Sequence, residues 1–431
     1  MSWDFETDPE WAEQLAWVED FVRTESEPID MIVKESHDLN DPVRQALIPP
    51  LQQIVKDRGL WATHLGAHLG GPGFGQMKLA LLNEILGRSE CAPIVFGSQA
   101  PDSGNSEILA HYGTPELKER YLKPLLENKI ISCFSMTEPQ GGADPKVFTT
   151  TATQDGDDWI INGEKWYSSF ASMASFIIVM AMTDPDAPPY ERYSMFVLPG
   201  DTPGINVLRD VGLGYQPLGG GREGYVRYEN VRVPNDHMLG PRGGAFIVAQ
   251  TRLGGGRIHH AMRTVGLVRR IYDMICERAV SRYTQGEVLA NKQMVQEMIA
   301  DSWMEIEAFR LLTLQTAWKI DKYNDYKAVR ADISAVKAMM QKVLHDVSAR
   351  ALQIHGSLGT SHEMPFVQYL TESFVLGLAD GPTEVHKVTL ARLLLKDVER
   401  APDTFPSEHL LRLREAAEAK FADKLAGIPR N

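Results

Sequence analysis

Cysteine is nearly absent: Cys91, Cys133 and Cys276 are the three in 431 residues, and they stand far apart in no CxxC or Cys/His spacing. That leaves no disulfide framework and no zinc site to build on, and a reducing compartment is the natural home. Also missing is any run near the ~18 apolar residues that a membrane span requires. The opening MSWDFETDPEWAEQ is acidic, where a secretory signal would be basic and then apolar. A cytoplasmic location without a membrane span is expected. Positive charge is in deficit too, since 44 Lys and Arg face 57 Asp and Glu for a net charge of −13. Nucleic acid, which calls for a basic face, is argued against as a partner. A phosphorylated small ligand is not, because it needs only a local set of arginines and backbone amides.

What is present is ordinary globular material, 43% hydrophobic and 23% charged, in a chain too long for one core and suited to two or three domains. From 9 to about 129, apolar residues recur three and four apart, as in 46–55, 79–86 and 117–126, with breaks at 70–73 and 100–105; helices are expected there. Between 131 and about 240 the pattern shifts to short alternating or β-branched runs at 149–153, 159–161, 176–180 and 225–228. Asn162-Gly163 reads as the turn of a hairpin between two of them. Beyond Pro241 helical spacing returns at 258–278, 292–320, 326–354 and 385–398, four helices of the length that packs as a bundle. Pro402 and Pro406 end them, and Ser407 is placed as the N-cap of one more helix reaching about Leu425. The expected division is an N-terminal α-helical domain (1–130), a central β-domain (131–240), a C-terminal helical bundle (241–400) and an extension helix (401–431).

The strongest local signal is MTEPQGGAD at 136–144, directly after the apolar run 130–134. Taken alone it reads as a turn after a buried strand. In the same order along the chain stand APDSGN at 100–105, INGEKWYSS at 161–169, ENVRVP at 229–234, GGRIHHAMRTVG at 255–266, QIHGSLG at 353–359 and ADGPTEVHK at 379–387. With these seven segments the sequence, over roughly residues 10 to 400, resembles the acyl-CoA dehydrogenase family, and more closely its subgroup with ADGP near the C-terminal helix. The resemblance implies a helical N-domain, a central β-barrel-like domain and a C-terminal four-helix bundle, with FAD lying between the last two. It implies that Thr137 donates to the flavin, that Phe134, Met136 and Gly142 line it, that Tyr167 packs on the ring, and that the Ser169 hydroxyl faces its reactive nitrogen. It further implies that Arg282 and Gln293 reach the FAD pyrophosphate and adenine across a subunit boundary, with Gln353, Gly356 and Ser357 in the loop receiving the same half and Glu384 as a further cofactor contact. A guanidinium suits a pyrophosphate because its donors form a fixed fork. The family's Arg-x-x-Phe-Gly here reads Arg282, Tyr283, Thr284, Gln285, Gly286, so the aromatic beneath adenine is missing.

Dehydrogenation of a thioester needs a carboxylate beside the α-carbon. Family members carry a Glu at the position of Asp380, or on an earlier helix at the position of Gly256, so here Asp380 is the candidate base. The bland alternative is a helix start, with Pro382 in the first turn and acidic side chains at the positive end of the dipole. Asp is shorter than Glu by one carbon bond, about 1.5 Å, which shifts loop or substrate. The resemblance also implies that the Asp380 N–H polarises the thioester carbonyl as an oxyanion-hole donor.

Ala143 stands where Ser is common, and Ala379 where Tyr is common before the base. Both point to a wide acyl pocket for a substituted, hydroxylated or phosphorylated acyl group. Ala143, Arg257, Arg263, Ala379 and Gly381 are the expected substrate contacts, with surface or intersubunit roles as the alternative for the two arginines. Adjacent His259 and His260 diverge by about a hundred degrees on a helix and suit packing better than a shared metal. His386 is expected to face solvent or FAD. The function classes left standing are an acyl-CoA dehydrogenase that passes electrons to an electron-transfer flavoprotein, a same-fold oxidase of acyl-CoA or nitroalkane type reoxidised by oxygen, and a silent FAD-binding scaffold. A homodimer or homotetramer is implied in each case.

Overall fold

The computed structural model describes residues 5–429. Its first third is helical: α1 (Pro9–Phe21), α2 (Pro42–Asp57), α3 (Gly75–Leu86) and α4 (Asp102–Tyr112). α1 and α2 begin alike. The carboxylates of Asp8 and Asp41 accept the N–H groups of Trp11 and Arg44, and a proline fills the first helical position, where its missing N–H costs nothing. The apolar faces meet in a core that includes Trp11, Phe21, Ile48, Leu82 and Phe96.

A seven-stranded mixed sheet follows: β1 (Ser132–Ser135), β2 (Thr151–Asp155), β3 (Asp158–Ser169), β4 (Phe176–Met182), β5 (Tyr193–Pro199), β6 (Ile205–Val211) and β7 (Glu223–Pro234). The order is β1-β4-β2-β3-β7-β6, with β5 on β4. β4, FIIVMAM, is buried on both faces and pairs in parallel with β1 and antiparallel with β5, as an unbroken apolar run should. The expected Asn162-Gly163 hairpin is not formed. β3 runs straight through these residues with a register shift against β7, and the reversal lies earlier, between Asp155 and Asp158. Gly163 has φ 147°, and a Cβ there would fall 2.5 Å from Thr150 Oγ1; the glycine admits a bulge and a close neighbour.

The last part is α5 (Ala245–Ser281), α6 (Gln293–Tyr323), α7 (Arg330–His355), α8 (Phe366–Leu378) and α9 (Thr383–Leu395). α5, about 55 Å long at 1.5 Å per residue, packs on α3, α4, α6, α7 and β5 and joins all three regions. α8 escaped the sequence reading because FVQYLTESFVLGL is apolar with little periodic contrast. The terminal helix α10 (Leu410–Lys420) starts after His409, three residues beyond the Ser407 start, and makes no side-chain cap. Among the described residues no helix is long and apolar enough to cross a membrane.

Candidate active site

The site is assembled where α4, α5 and the loop between α8 and α9 converge. At the start of α4, Asp102 Oδ1 accepts the Ser132 N–H (2.9 Å) and hydroxyl (2.5 Å), which ties the helix to β1. Three residues on, Asn105 donates to Ser132 Oγ (2.8 Å) and accepts from Arg252 Nε (2.9 Å). Arg252, on α5, thereby lies with its guanidinium 4.2 Å from the centre of the Phe134 ring. Asp102 is itself deeply buried, which raises its pKa to about 6.

Asp380 occupies the α8–α9 loop at φ 55°, followed by Gly381 at φ 100°. A left-handed aspartate is tolerated where its surroundings hold it. Here the hold is explicit, because its peptide carbonyl accepts from Arg257 Nε (2.9 Å) and from His386 Nε2 (3.2 Å). A carbonyl can only accept, so His386 carries its proton on Nε2. Burial keeps it neutral, with a pKa of about 4. The Asp380 N–H makes no hydrogen bond among the described residues. Lys337, on α7, donates to the Leu376 carbonyl at the end of α8 and fixes the approach to the loop.

The Asp380 carboxyl is 15% exposed and stands 3.8 Å from His260 Nε2. Burial, then the charge of Arg263, depresses the His260 pKa, so this contact is not a charged pair at neutral pH. The negative charge is felt instead by Arg252, Arg257, Arg263 and Lys337. Three consecutive glycines in α5 clear the space. A Cβ on Gly256 would sit 3.4 Å from Asp380 Oδ2, and one on Gly255 would sit 3.0 Å from Glu107 Oε2. A cavity of about 50 Å³ results, walled by His64, Glu107, Arg252, His260, Arg263 and Asp380 among others.

On the sheet side, the MTEP segment is pinned by a buried ion pair. Lys165 Nζ donates to Glu138 Oε1 (2.8 Å) and to the Met136 carbonyl (2.7 Å), with both side chains essentially inaccessible, 0% and 1%. Glu138 also accepts from the N–H groups of Thr149 and Thr150, the Thr149 hydroxyl and Gln140. Burial pushes its carboxyl upward, but Lys165 and these donors outweigh it and bring the pKa down to about 2. Full burial lowers the Lys165 ammonium to about 8, which still leaves it charged near neutrality. Phe134, Met136 and Thr137 remain half-buried. Tyr167 is at φ 61° with its ring 57% exposed and stacked on Trp166 at 5.1 Å. Ser169 donates to Glu223 Oε2 (2.6 Å), so its single proton is turned toward β7.

The residues expected at the far end of the cofactor are grouped elsewhere. Arg282 closes α5, Gln293 opens α6, and Gln353, Gly356 and Ser357 end α7, which Arg278 joins to α5 by donating to the His355 carbonyl (3.5 Å). All are exposed, Arg282 has no carboxylate within 4 Å among the described residues, and Gly356 has open space around it at φ 65°. An exposed, unpaired guanidinium fits a diphosphate, and an exposed aromatic in a strained conformation fits a flat ring; the donor set suits FAD. Gly256 and Arg282 are 26 positions apart on one helix, about 39 Å, more than a dinucleotide spans.

Several expectations change. Arg257 is engaged with the Asp380 carbonyl and does not line the cavity as a substrate contact, whereas Arg263 does. Ala143 and Ala379 are exposed and lie outside that cavity; Gly381 packs beside His386. His386 is buried, not solvent-facing, because its ring is used on the loop carbonyl. His259 is buried with Nε2 on Gln76 (3.2 Å). Glu384 is exposed in the first turn of α9, and Gly142 is exposed beside Thr137. Sequence reading missed Arg252, Glu107, His64 and Lys337; the APDSGN segment just before Glu107 was the available signal.

Three family models match in order: the N-terminal domain of acyl-CoA dehydrogenases over 9–129, the middle domain over 133–231 and the C-terminal domain over 243–395. The chain is 39% identical over 370 residues to probable acyl-CoA dehydrogenase FadE2 of Mycobacterium tuberculosis, covering 85% of this chain and 89% of that one. It is 39% identical over 352 residues to acyl-CoA dehydrogenase family member 11 of Gallus gallus, covering 80% of this chain and 45% of that longer protein. Among solved structures, a putative acyl-CoA dehydrogenase from Mycobacterium abscessus superposes with a TM-score of 0.83 at 37% identity, over 91% of this chain and 99% of that one.

Proposed function

The chain belongs to the acyl-CoA dehydrogenase family of FAD-dependent oxidoreductases, and from that premise we propose that Asp380 is the base that takes the α-proton of its acyl-CoA thioester. The observation that carries this reading is the sheltered Asp380 carboxyl, beside Gly256 and held by a loop whose carbonyl is clamped from two helices. The Asp380 N–H, without another acceptor, is the donor to the thioester carbonyl, where negative charge develops as the proton leaves. FAD, when bound, supplies the acceptor for the hydride that departs from the β-carbon.

Phe134, Met136, Thr137, Gly142, Tyr167 and Ser169 hold the ring end of the cofactor, and the Glu138–Lys165 pair keeps their loop in place. Arg282, Gln293, Gln353, Gly356 and Ser357 hold the diphosphate and adenine end of a neighbouring subunit's cofactor. The 39 Å separation along α5 supports a dimer or tetramer on this ground. Electrons pass to an electron-transfer flavoprotein, and the exposed Tyr167 ring, continued by Trp166 and Tyr225 stacked at 5.3 Å, gives that acceptor an aromatic surface. Anaerobic addition of acyl-CoAs tests the proposal through bleaching of the flavin absorbance, followed by admission of air: slow reoxidation supports the dehydrogenase, and fast reoxidation supports an oxidase instead.

A further inference from the structure

The cavity beside Asp380 is not the greasy slot that an alkyl chain prefers. His64 Nε2 lies 3.0 Å from Ser106 Oγ. Ser106 spends its one proton on the Ser103 carbonyl at 2.8 Å, so at this contact it can only accept, and the His64 proton is on Nε2. Burial keeps His64 neutral, with a pKa of about 3. Its Nδ1 is then a bare lone pair, buried and without a partner. Gln99 donates its amide to Asp102 Oδ2 (3.1 Å) and leaves Oε1 buried and unpartnered; Gln99 and His64 line the same small void adjoining the cavity. Glu107 faces the cavity itself, with no hydrogen bond or ion pair among the described residues, and burial raises its carboxyl to about 7.

Three acceptors therefore wait for donors. The guanidinium groups nearby do not answer them: Arg252 is committed to Asn105 and Phe134, and Arg263 donates to Ser98 O (3.2 Å) and Asn83 Oδ1 (3.4 Å). An anionic acyl substituent would bring further acceptors to a wall of acceptors. A hydroxyl brings the missing proton. The space of about 50 Å³ holds a few water-sized groups, not a long tail.

Resting on the dehydrogenase reading above, we infer that the acyl chamber contains a hydroxyl subsite built from Glu107, His64 and Gln99, and that the preferred substrate is a short acyl-CoA with a hydroxyl beyond its β-carbon. A site built to bond a hydroxyl rejects the analogue that lacks it far more strongly than an apolar pocket rejects an extra methylene.

The test compares kcat/KM of the FAD-loaded enzyme for three acyl-CoAs of one short length: plain, hydroxylated beyond the β-carbon, and carboxylate-ended. The hydroxylated compound is expected to lead the plain one by on the order of a hundredfold. Glu107→Leu should collapse that ratio to within a few-fold, and Gln99→Leu should reduce it, with FAD content and melting temperature certifying that each variant is folded. Equal or better turnover of the plain compound, a lead for the carboxylate-ended one, or an unchanged ratio in Glu107→Leu overturns the subsite. Failure of all three to bleach the flavin overturns the dehydrogenase reading beneath it.

Discussion

Asp380 works through its peptide group as much as through its carboxyl. Arg257 and His386 hold its carbonyl, which leaves the carboxyl facing the cavity and the N–H free for a substrate oxygen. The candidate base was legible in the sequence because ADGP sits in a motif of fixed order. Its clamps were not, since nothing in the spacing of Arg257 or His386 announces a bond to a backbone atom more than a hundred residues away in the first case. The Glu138–Lys165 pair carries a second expectation at this scale. Removing one partner of a buried pair strands the other, so Lys165→Met should destabilise the protein by about 3–5 kcal/mol and loosen the MTEP loop, read as weaker FAD retention in dilution or gel filtration. Glu138 has a folded pKa of about 2 against an ordinary 4.5. The unfolded chain therefore binds the extra proton between these values, and the stabilisation, complete above 4.5, is lost as pH falls toward 2. Thermal melts over that range should show this loss in the native chain and a shallower one in Glu138→Gln.

At the level of elements, the decisive feature is the glycine triplet in α5. In the sequence it looked like a break inside a helical pattern, yet the helix runs through it unbroken and the missing side chains make room for Glu107 and Asp380. Gly256 and Asp380, the two family positions for a base, meet at one place. α8 was invisible to periodicity, but it is the helix that delivers Asp380, and its last carbonyls are held by Lys337. Lys337→Met should cost about 1–3 kcal/mol through the orphaned carbonyl. Burial lowers the Lys337 ammonium from 10.5 to about 8. Between these values the unfolded chain binds more protons than the folded one, so stability rises with pH there as the buried charge is relieved. The difference in melting temperature between native and variant chains, followed from pH 8 upward, should widen accordingly; a constant difference would mean that Lys337 is not buried as described.

For the whole molecule, the α, β, α order and the mixed sheet followed from period changes in the sequence, while the packing of α5 against every region did not, because long-range contacts leave no local trace. The distance from Gly256 to Arg282 along one rigid helix makes each chain supply halves of two different sites. Co-expressed Asp380→Asn and Arg282→Glu subunits should therefore regain activity that neither homo-oligomer shows, measured after tag-selected purification of the hybrid. Absence of complementation in a verified hybrid would place both residues in one site.

The central claim is that the Asp380 carboxylate removes the α-proton. Its most direct test is anaerobic stopped-flow bleaching of bound FAD by acyl-CoA, comparing the native chain with Asp380→Asn, which keeps size and shape but cannot take a proton. The account predicts that the variant retains FAD and binds acyl-CoA while bleaching slows by about 10²–10⁴-fold. Bleaching at an undiminished rate in the FAD-loaded variant would contradict it.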